Sequence, residues 1–277
     1  MSRMAGALVR ALLVLVLVVL PAALLPGVGA DARQVVVLFA LIAAVLTFVE
    51  YSAAYPSLVE FRYAPPFNRI RFGALALTVL MLTVILRGQF EPTTFALLAE
   101  AVGQVVGRAM DFPYSPVRLI TLMLPDDTPL AQVALVRALA GMSYIVALLS
   151  LTVFVVAMRL GSWPSGAGAF NVWVNLPTFD PTAGGDVVER LERDARFNIA
   201  LGFLMPFLIP AGVRFLSELT APGALTGGQT LIWMIAAWGF LPVSLFMRGI
   251  AMWRVARMIR AQRDANSAEG EADLRTA

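Results

Sequence analysis

The sequence predicts an all-α fold, a polytopic transmembrane helical bundle of about six spans with both termini on the cytoplasmic side. Of the 277 residues, 59% are hydrophobic and only 14% are charged, whereas soluble domains are usually about 25% charged. Apolar stretches near the length that crosses roughly 30 Å of hydrocarbon recur along the chain. Arginines lie between these stretches in an uneven distribution, which indicates one orientation in the membrane.

Six apolar stretches are long enough, or nearly so, to cross a membrane as helices of roughly 20 residues. The predicted spans are 11–28, 35–55, 72–86, 138–158, 199–215 and 230–247. The third is short, and Arg87 at its end is expected to extend its guanidinium to the headgroups. Because no long polar segment separates the spans, residues 1–263 are predicted to form one transmembrane domain. The polar residues 264–277 predict a disordered cytoplasmic tail.

The distribution of arginine gives the orientation. All 21 basic residues are arginine. With the amino terminus inside, 15 of them lie on the cytoplasmic side and six outside, as expected when cytoplasmic loops carry the positive excess. The use of Arg without Lys, together with abundant Ala, Leu, Val and Gly, is typical of a GC-rich bacterial genome. The predicted location is therefore the bacterial cytoplasmic (inner) membrane.

The first span can also be interpreted as a signal peptide. Arg3 and Arg10 precede an apolar run that ends in the small residues Gly29 and Ala30, a pattern typical of a signal-peptidase site. Cleavage there would leave five spans and an external amino terminus, with the other spans oriented as before. The length of the apolar run and the short turn before the next span favour a retained first span.

A periplasmic amphipathic helix is predicted between the third and fourth spans. Its apolar residues recur at helical spacing with polar residues between them, and such a helix is expected to lie on the membrane surface. The predicted apolar face consists of Phe95, Leu98, Ala99, Val102, Val105, Val106 and Ala109. Residues 117–124, which follow it between prolines, predict either a second surface helix or a shallow re-entrant turn.

The loop after the fourth span is predicted to contain two short elements at the cytoplasmic surface. Apolar and polar residues partly alternate over 170–176, which indicates an extended segment. Residues 186–196 predict a helix, because acidic residues precede basic ones by four positions. These pairs are Glu189 with Arg193 and Glu192 with Arg196.

Glu50 is the most informative single charge. It lies about five residues, or roughly 7.5 Å, inside the inner end of the second predicted span, where a carboxylate is costly unless it is paired, hydrated or protonated. Candidate partners on the same side are Arg159, Arg196, Arg248, Tyr51 and Tyr55. Glu50, Tyr51, Arg159 and Arg248 form a candidate intramembrane polar site for a proton or cation. Alternatively, the helix ends sooner and Glu50 lies among headgroups or in a structural ion pair.

The segment 55–72 combines arginines, aromatic residues and prolines. Two adjacent prolines predict an extended backbone, and Arg and aromatic side chains are common anchors of protein interfaces. The candidate partner-docking residues are Arg62, Tyr63, Pro65, Pro66, Phe67, Arg69 and Arg71. Alternatively, the same side chains anchor two spans at headgroup depth. The few arginines in so short a loop do not favour nucleic-acid binding.

Four prolines fall within predicted spans, at Pro21, Pro206, Pro210 and Pro242. Each removes a backbone donor and leaves a carbonyl that must find another partner inside a membrane. Broken helices of this kind line substrate cavities in transporters, but proline also occurs in spans merely as a kink. The apolar surroundings of Pro206 and Pro210 favour the structural role.

Composition narrows the possible functions. The chain has no His and no Cys, so haem, zinc and iron–sulfur sites and Cys or Ser–His–Asp nucleophiles are not expected. No cofactor, metal or catalytic residue is predicted. The favoured hypothesis is a non-catalytic accessory, scaffold or assembly protein that contacts lipid and membrane-protein partners within a larger complex. The alternative is a small-molecule transporter or permease subunit that uses Glu50, and an intramembrane enzyme ranks third.

Overall fold

The computed structural model describes residues 3–161, 163, 171–180, 182, 184–219 and 227–276, with side chains except at 173, 216–219 and 269–276. Within these ranges every regular element is a helix. In chain order the helices are α1 (Arg3–Leu24), α2 (Ala30–Ser52), α3 (Phe67–Gly88), α4 (Thr94–Ala109), α5 (Pro116–Leu122), α6 (Leu130–Leu160), α7 (Val172–Asn175), α8 (Val187–Leu219) and α9 (Gly228–Thr276).

Six of these helices, α1, α2, α3, α6, α8 and α9, are long and apolar enough to cross a membrane. The prediction of a multi-pass helical protein is therefore confirmed at this level. Each predicted span overlaps one of these helices, but the ends differ, since α1 starts at Arg3 rather than at residue 11. Polar residues can continue the hydrogen-bonded helix beyond the apolar stretch, so hydropathy locates the middle of a span better than its ends.

Contacts between residues that are distant in sequence show which helix ends lie together. They define the two ends of the bundle. Arg3 at the start of α1 contacts the carbonyl of Ala53 just after α2, and Arg248 of α9 contacts Glu60 before α3. We call the end where these contacts lie the arginine-rich end; it holds the α2–α3 loop, α7, the start of α8 and the last half of α9. The opposite end holds α4 and α5. Which end faces the cytoplasm stays a prediction.

Helices α3, α6 and α9 form the centre of the bundle, and α8 packs along α9. The α1–α2 pair lies at one side, where α1 contacts α3 and α2 packs mainly against α1. Ala40 and Ala44 of α2 are buried, as expected for small residues four positions apart that let two helices approach closely. The largest fully buried side chain is that of Trp238, in the central core.

Helix α4 confirms the predicted helix. The side chains of its predicted apolar face are largely turned away from the bundle, and contact of that face with the membrane surface stays a prediction. Ala96, Ala99, Gly103 and Gly107 are its buried residues, whereas Phe95 is 55% exposed. The glycines contact α6, where a Cβ on Gly107 would lie 2.4 Å from the Arg137 carbonyl oxygen. Two glycines four residues apart permit this approach, so packing on α6, rather than apolar content, selects the inward face.

The segment predicted to be either a surface helix or a re-entrant turn contains the short helix α5. Val117 and Ile120 are fully buried, and Ser115 caps the helix by accepting a hydrogen bond from the Arg118 amide at 3.0 Å. Beside it, the Asp111 carboxylate pairs with Arg118 and with Arg137 of α6, each at 3.1 Å. The depth of α5 in the membrane stays a prediction.

The proline-containing part of α8 is a continuous helix that packs on α9. Pro210 has no amide hydrogen, so the carbonyl of Pro206, four residues earlier, loses its donor within the helix. The indole nitrogen of Trp238 on α9 donates to that carbonyl at 3.0 Å. This bond favours the structural interpretation of the prolines, because a protein side chain, and not water or substrate in a cavity, satisfies the carbonyl that lost its helical donor.

Of two predictions near the arginine-rich end, the extended segment is corrected and the disorder of the tail stays a prediction. The extended segment expected over 170–176 contains the helical turn α7, begun by the Asn171 side chain, which accepts from the Val174 amide at 3.4 Å; residue 170 lies outside the described residues. The tail expected to be disordered over 264–277 continues α9 as a helix to Thr276. Extending an existing helix avoids the cost of nucleation, and Ala and Glu in this stretch are good helix formers.

The helix predicted over 186–196 forms the first turns of α8, but its charges pair across helices. Glu192 forms an ion pair with Arg260 of α9 at 2.8 Å. The partner predicted from the sequence was Arg196. Asp186 caps α8 by accepting from the Val188 amide at 3.0 Å and pairs with Arg263 at 2.8 Å. The hydrogen bond from Arg263 has the larger effect and that from the Val188 amide the smaller, and together they hold the pKa of Asp186 below its usual value.

Candidate functional site

The candidate site is the polar network at the arginine-rich end, and its first member is Glu50. Only 8% of Glu50 is exposed. Its carboxylate accepts hydrogen bonds from the amides of Ser57, Leu58 and Val59 at 3.0, 2.9 and 3.1 Å, and from the Ser57 hydroxyl. Several amide donors satisfy a buried carboxylate without an ion pair. Glu50 therefore holds the α2–α3 loop against the end of α2.

Arg62 supplies hydrogen-bond donors to the carbonyl groups at the end of α2. Its guanidinium donates to the carbonyls of Glu50, Ala53 and Ala54 at 2.5, 3.0 and 3.2 Å. The last carbonyls of a helix have no partner within the helix and carry the negative end of its dipole, so a cation is well placed there. The guanidinium also lies 4.5 Å from the ring centre of Tyr63.

Glu60 is the acid that pairs with a distant arginine. Its carboxylate binds Arg248 through two hydrogen bonds of 2.6 and 2.8 Å and accepts a third from Thr178 at 2.8 Å. Arg248 also donates to the amide oxygen of the buried Asn198 at 2.9 Å. This two-pronged geometry is the strong form of an Arg–carboxylate pair. It joins the α2–α3 loop, the α7–α8 loop, α8 and α9 at one point.

Arg71 lies within the same network on α3. Its guanidinium donates to the Ser244 hydroxyl at 2.5 Å, lies 5.1 Å from the ring centre of Phe67, and interacts electrostatically with Glu60 and Arg248. Its Nε atom is buried without a hydrogen-bond partner among the described residues. Arg71 is thus part of the protein interior and does not present its charge to a partner.

Aromatic side chains form the floor of the network. Phe61 contacts Phe67 and Trp163 with ring centres 4.5 and 5.5 Å apart, and Phe67 contacts Phe154 edge-on at 5.8 Å. The Trp163 indole donates to the Ala64 carbonyl at 3.0 Å. These offset contacts are the favourable arrangements for aromatic pairs, and they fix the second half of the α2–α3 loop to α6.

The structure changes the interpretation of the predicted docking loop. Phe67 and Arg71 point inward, Pro66 is half-buried, and Arg62 is committed to helix carbonyls. The segment predicted to be extended is a series of turns that ends in α3. Among the predicted docking residues, the exposed ones are Tyr63, Pro65 and Arg69. Docking through this loop stays a prediction, with a smaller surface than the sequence indicated.

The structure does not assemble the four residues of the predicted intramembrane site. Arg248 pairs with Glu60, and Tyr51 packs against Arg10 at 4.7 Å from the ring centre. Arg159 lines a separate cleft of about 600 Å³ between α6 and α9, with Trp253 and Arg257 on its walls. The physical reason is that α2 lies at the side of the bundle and ends at Ser52, so its carboxylate reaches the following loop first.

Glu60 and Asn198 are the residues that reasoning from the sequence missed. Glu60 lies in a loop, and only distance in the folded chain reveals that Arg248 faces it. A usable signal was that the segment 50–62 carries a second carboxylate close to the arginines that the sequence predicts on the same side of the membrane. Among the residues that the structure describes, no group of three His, Cys, Asp or Glu side chains could hold a metal ion.

Comparisons with models of known protein families, with curated proteins and with solved structures give no match for this chain. The fold alone defines the class, a multi-pass helical membrane protein whose described residues include six helices of spanning length.

Proposed function

We propose that this chain is a non-catalytic accessory or assembly protein of a larger membrane complex and that α2 is its docking helix. The observation that carries the proposal is the position of α2, which has the length and composition of a membrane span but packs mainly against one neighbour, α1. A helix so placed leaves most of its circumference to lipid or to a partner. We propose a partner helix.

The outward surface of α2 is apolar along most of the helix. Nine large apolar side chains of α2 are between 43% and 62% exposed. They are Val35, Val37, Leu38, Phe39, Leu41, Ile42, Val45, Leu46 and Val49. Phe39 is the most exposed of them and is the kind of aromatic side chain that anchors interfaces. Helix-in-groove binding uses such surfaces.

The polar groups inside the bundle support a role without transport or chemistry. The carboxylate of Glu50 accepts hydrogen bonds from loop amides, and the carboxylate of Glu60 binds Arg248. On α6, Ser143 donates to the Ile235 carbonyl at 3.2 Å, and Ser150 and Thr152 donate within their own helix. A cavity lined by Glu50 and these hydroxyls, which a transporter would use, has no support from these contacts.

The same proposal includes the location. We propose the bacterial cytoplasmic membrane, with the arginine-rich end toward the cytoplasm. The support is the excess of arginine at that end, since cytoplasmic ends carry the positive charge. Fusing a reporter that is active in the cytoplasm to the end of α9 tests the orientation.

The test of the proposed function is purification of the tagged, natively expressed protein in mild detergent, with the mass of the particle measured. We expect a partner at fixed stoichiometry. Replacing Phe39 and Leu46 together by Ala should weaken that complex at least roughly tenfold, because buried interface anchors often contribute 2 kcal/mol or more. The matched control replaces Leu149 and Val153 of α6, which are also more than half exposed. A particle of the chain's own mass would contradict the proposal.

A further inference from the structure

A cleft of about 360 Å³ opens at the arginine-rich end between α1, α2 and the start of α3. Its polar rim carries three guanidiniums, those of Arg10, Arg62 and Arg69. Its inner walls are apolar and include Leu13 and Phe72. The wall that α1 forms is open to the surroundings, because Leu13 is 46% exposed.

The charges around this cleft are unbalanced. Arg10, Arg62 and Arg69 form no ion pair with a carboxylate among the described residues, and no acidic side chain lines the cleft. Arg62 and Arg10 bind backbone carbonyls, which orient a guanidinium without neutralising it. Within the described part of the chain, the Nε atom of Arg62 is buried without a hydrogen-bond partner. A cluster of positive charge beside apolar walls has the charge and polarity that suit an anion with a hydrocarbon part.

The nearby carboxylates of Glu50 and Glu60 form their hydrogen bonds with groups outside the cleft lining. Glu50 turns its carboxylate toward the amides of 57–59, and Glu60 binds Arg248. The polar groups that remain at the rim are neutral donors and acceptors, namely Thr47, Tyr51 and Asn68. The loop architecture thus keeps negative charge out of the cleft.

We infer that this cleft binds the phosphate headgroup of an anionic phospholipid. The exposed guanidiniums of Arg10 and Arg69 match phosphate oxygens and bind them through paired hydrogen bonds, whereas Arg62, whose terminal nitrogens already bind carbonyls, contributes only its charge. The first acyl carbons would lie along Val9, Leu13 and Val14 of α1, and this hydrophobic wall distinguishes a lipid from a soluble phosphate. Basic pockets between spanning helices are known binding sites for such headgroups. The site is independent of the proposed docking role of α2.

The depth of the cleft in the bundle suits the headgroup of an anionic phospholipid. Arg10 lies seven residues after the start of α1, or roughly 10 Å along the helix, while Arg69 is in the first turn of α3. The cleft therefore reaches from the end of the bundle about two turns inward. That depth corresponds to the step from headgroup to acyl chain at a membrane surface.

Native mass spectrometry of the full chain, released from nanodiscs that contain equal amounts of phosphatidylglycerol and phosphatidylcholine, tests the inference. We expect the wild-type protein to retain the anionic lipid preferentially. Replacing Arg10 and Arg69 together by Gln should lower that retention roughly 30-fold, since each arginine near a lipid phosphate contributes about a factor of five. Both side chains are exposed, so the fold should survive.

The control replaces Arg193 and Arg196 of α8 by Gln, which removes the same charge from the same end away from the cleft. This variant should retain the lipid as the wild type does. Leu13→Trp, which keeps the arginines and fills the apolar wall, should also lower retention and tests the site if the arginine variant does not fold. Equal retention of both lipids, equal loss in the control, or displacement by millimolar glycerol phosphate would overturn the inference.

Discussion

The contacts that fix the α2–α3 loop at the arginine-rich end differ from those that join α4 to α6 at the opposite end. At the arginine-rich end, irregular loops are fixed by charged side chains, with Glu50 and Arg62 bonded to backbone groups and Glu60 to Arg248. At the opposite end, α4 and α6 meet backbone to backbone through Gly103, Gly107 and Gly141.

The difference follows from what each end contains. A helix satisfies most of its backbone donors and acceptors internally, whereas an irregular loop does not. Backbone groups that lack a hydrogen-bond partner cost free energy near a membrane. Charged side chains meet that need at the arginine-rich end. The α4–α6 contact joins two regular helices, so close packing of small residues suffices. Charges that look functional in the sequence are therefore largely structural where loops meet.

The largest expected effect comes from breaking the buried ion pair. Glu60→Gln leaves the Arg248 charge without its counter-ion and should lower the free energy of unfolding by about 4 kcal/mol, as for other buried pairs that lose one partner. Unfolding in mixed micelles, monitored by tryptophan fluorescence, measures the change.

The double variant Glu60→Gln with Arg248→Met is the control for this prediction. Removing both charges should recover part of the lost stability, because the cost lies in the unpaired cation. Simple addition of the two single effects would show that the pair is not coupled and would contradict the interpretation of this network.

The second effect tests the glycine contact at the opposite end. Gly107→Ala places a Cβ 2.4 Å from the Arg137 carbonyl oxygen, so α4 and α6 must separate. The free energy of unfolding should fall by about 2 kcal/mol, as in other overpacked interiors. Gly73→Ala on α3 is the matched control, because no atom lies within 4 Å of its added Cβ. Equal effects of the two substitutions would show that the contact is not close.

A smaller effect is expected at Glu50. Glu50→Gln keeps an acceptor but removes the charge that binds three amides, and should cost about 1–2 kcal/mol. Hydrogen exchange at the amides of 57–59 should become faster, while the core amides of α3 remain protected. Glu91→Gln, at a side chain that is 61% exposed, should leave exchange unchanged. Protection of 57–59 that does not depend on Glu50 would contradict its role in the loop.

The smallest effect depends on pH. The ion pair with Arg263 holds the pKa of Asp186 below its ordinary value of 3.8. The pair therefore stabilises the fold fully above that value, and the contribution disappears as pH falls through the lower folded pKa. Asp186→Asn, which can still cap α8, should be slightly less stable than wild type at pH 6 and equal to it at strongly acidic pH. A difference that persists in acid would show that the loss is not electrostatic.

The sequence predicted the bundle well because hydropathy reports the solvent around a helix. It predicted the helical form of 94–109, and the apolar face toward the membrane surface stays a prediction. It did not predict the contact of Gly103 and Gly107 with α6, because small residues reveal a helix partner only once the partner is in place. It singled out Glu50 as an informative charge but did not predict its partners, since the donors are loop amides whose positions depend on the turn after Ser52. Glu60 and Arg248 are 188 residues apart, and only the fold brings them together.

The proposal that α2 docks a partner is tested most directly by site-specific photo-crosslinking in native membranes. A crosslinking residue at Phe39 should give one protein adduct of defined mass, whereas the same residue at Leu149 of α6, which is similarly exposed, should give none. Adducts with lipid alone at both positions would show that lipid covers α2 and would contradict the accessory role.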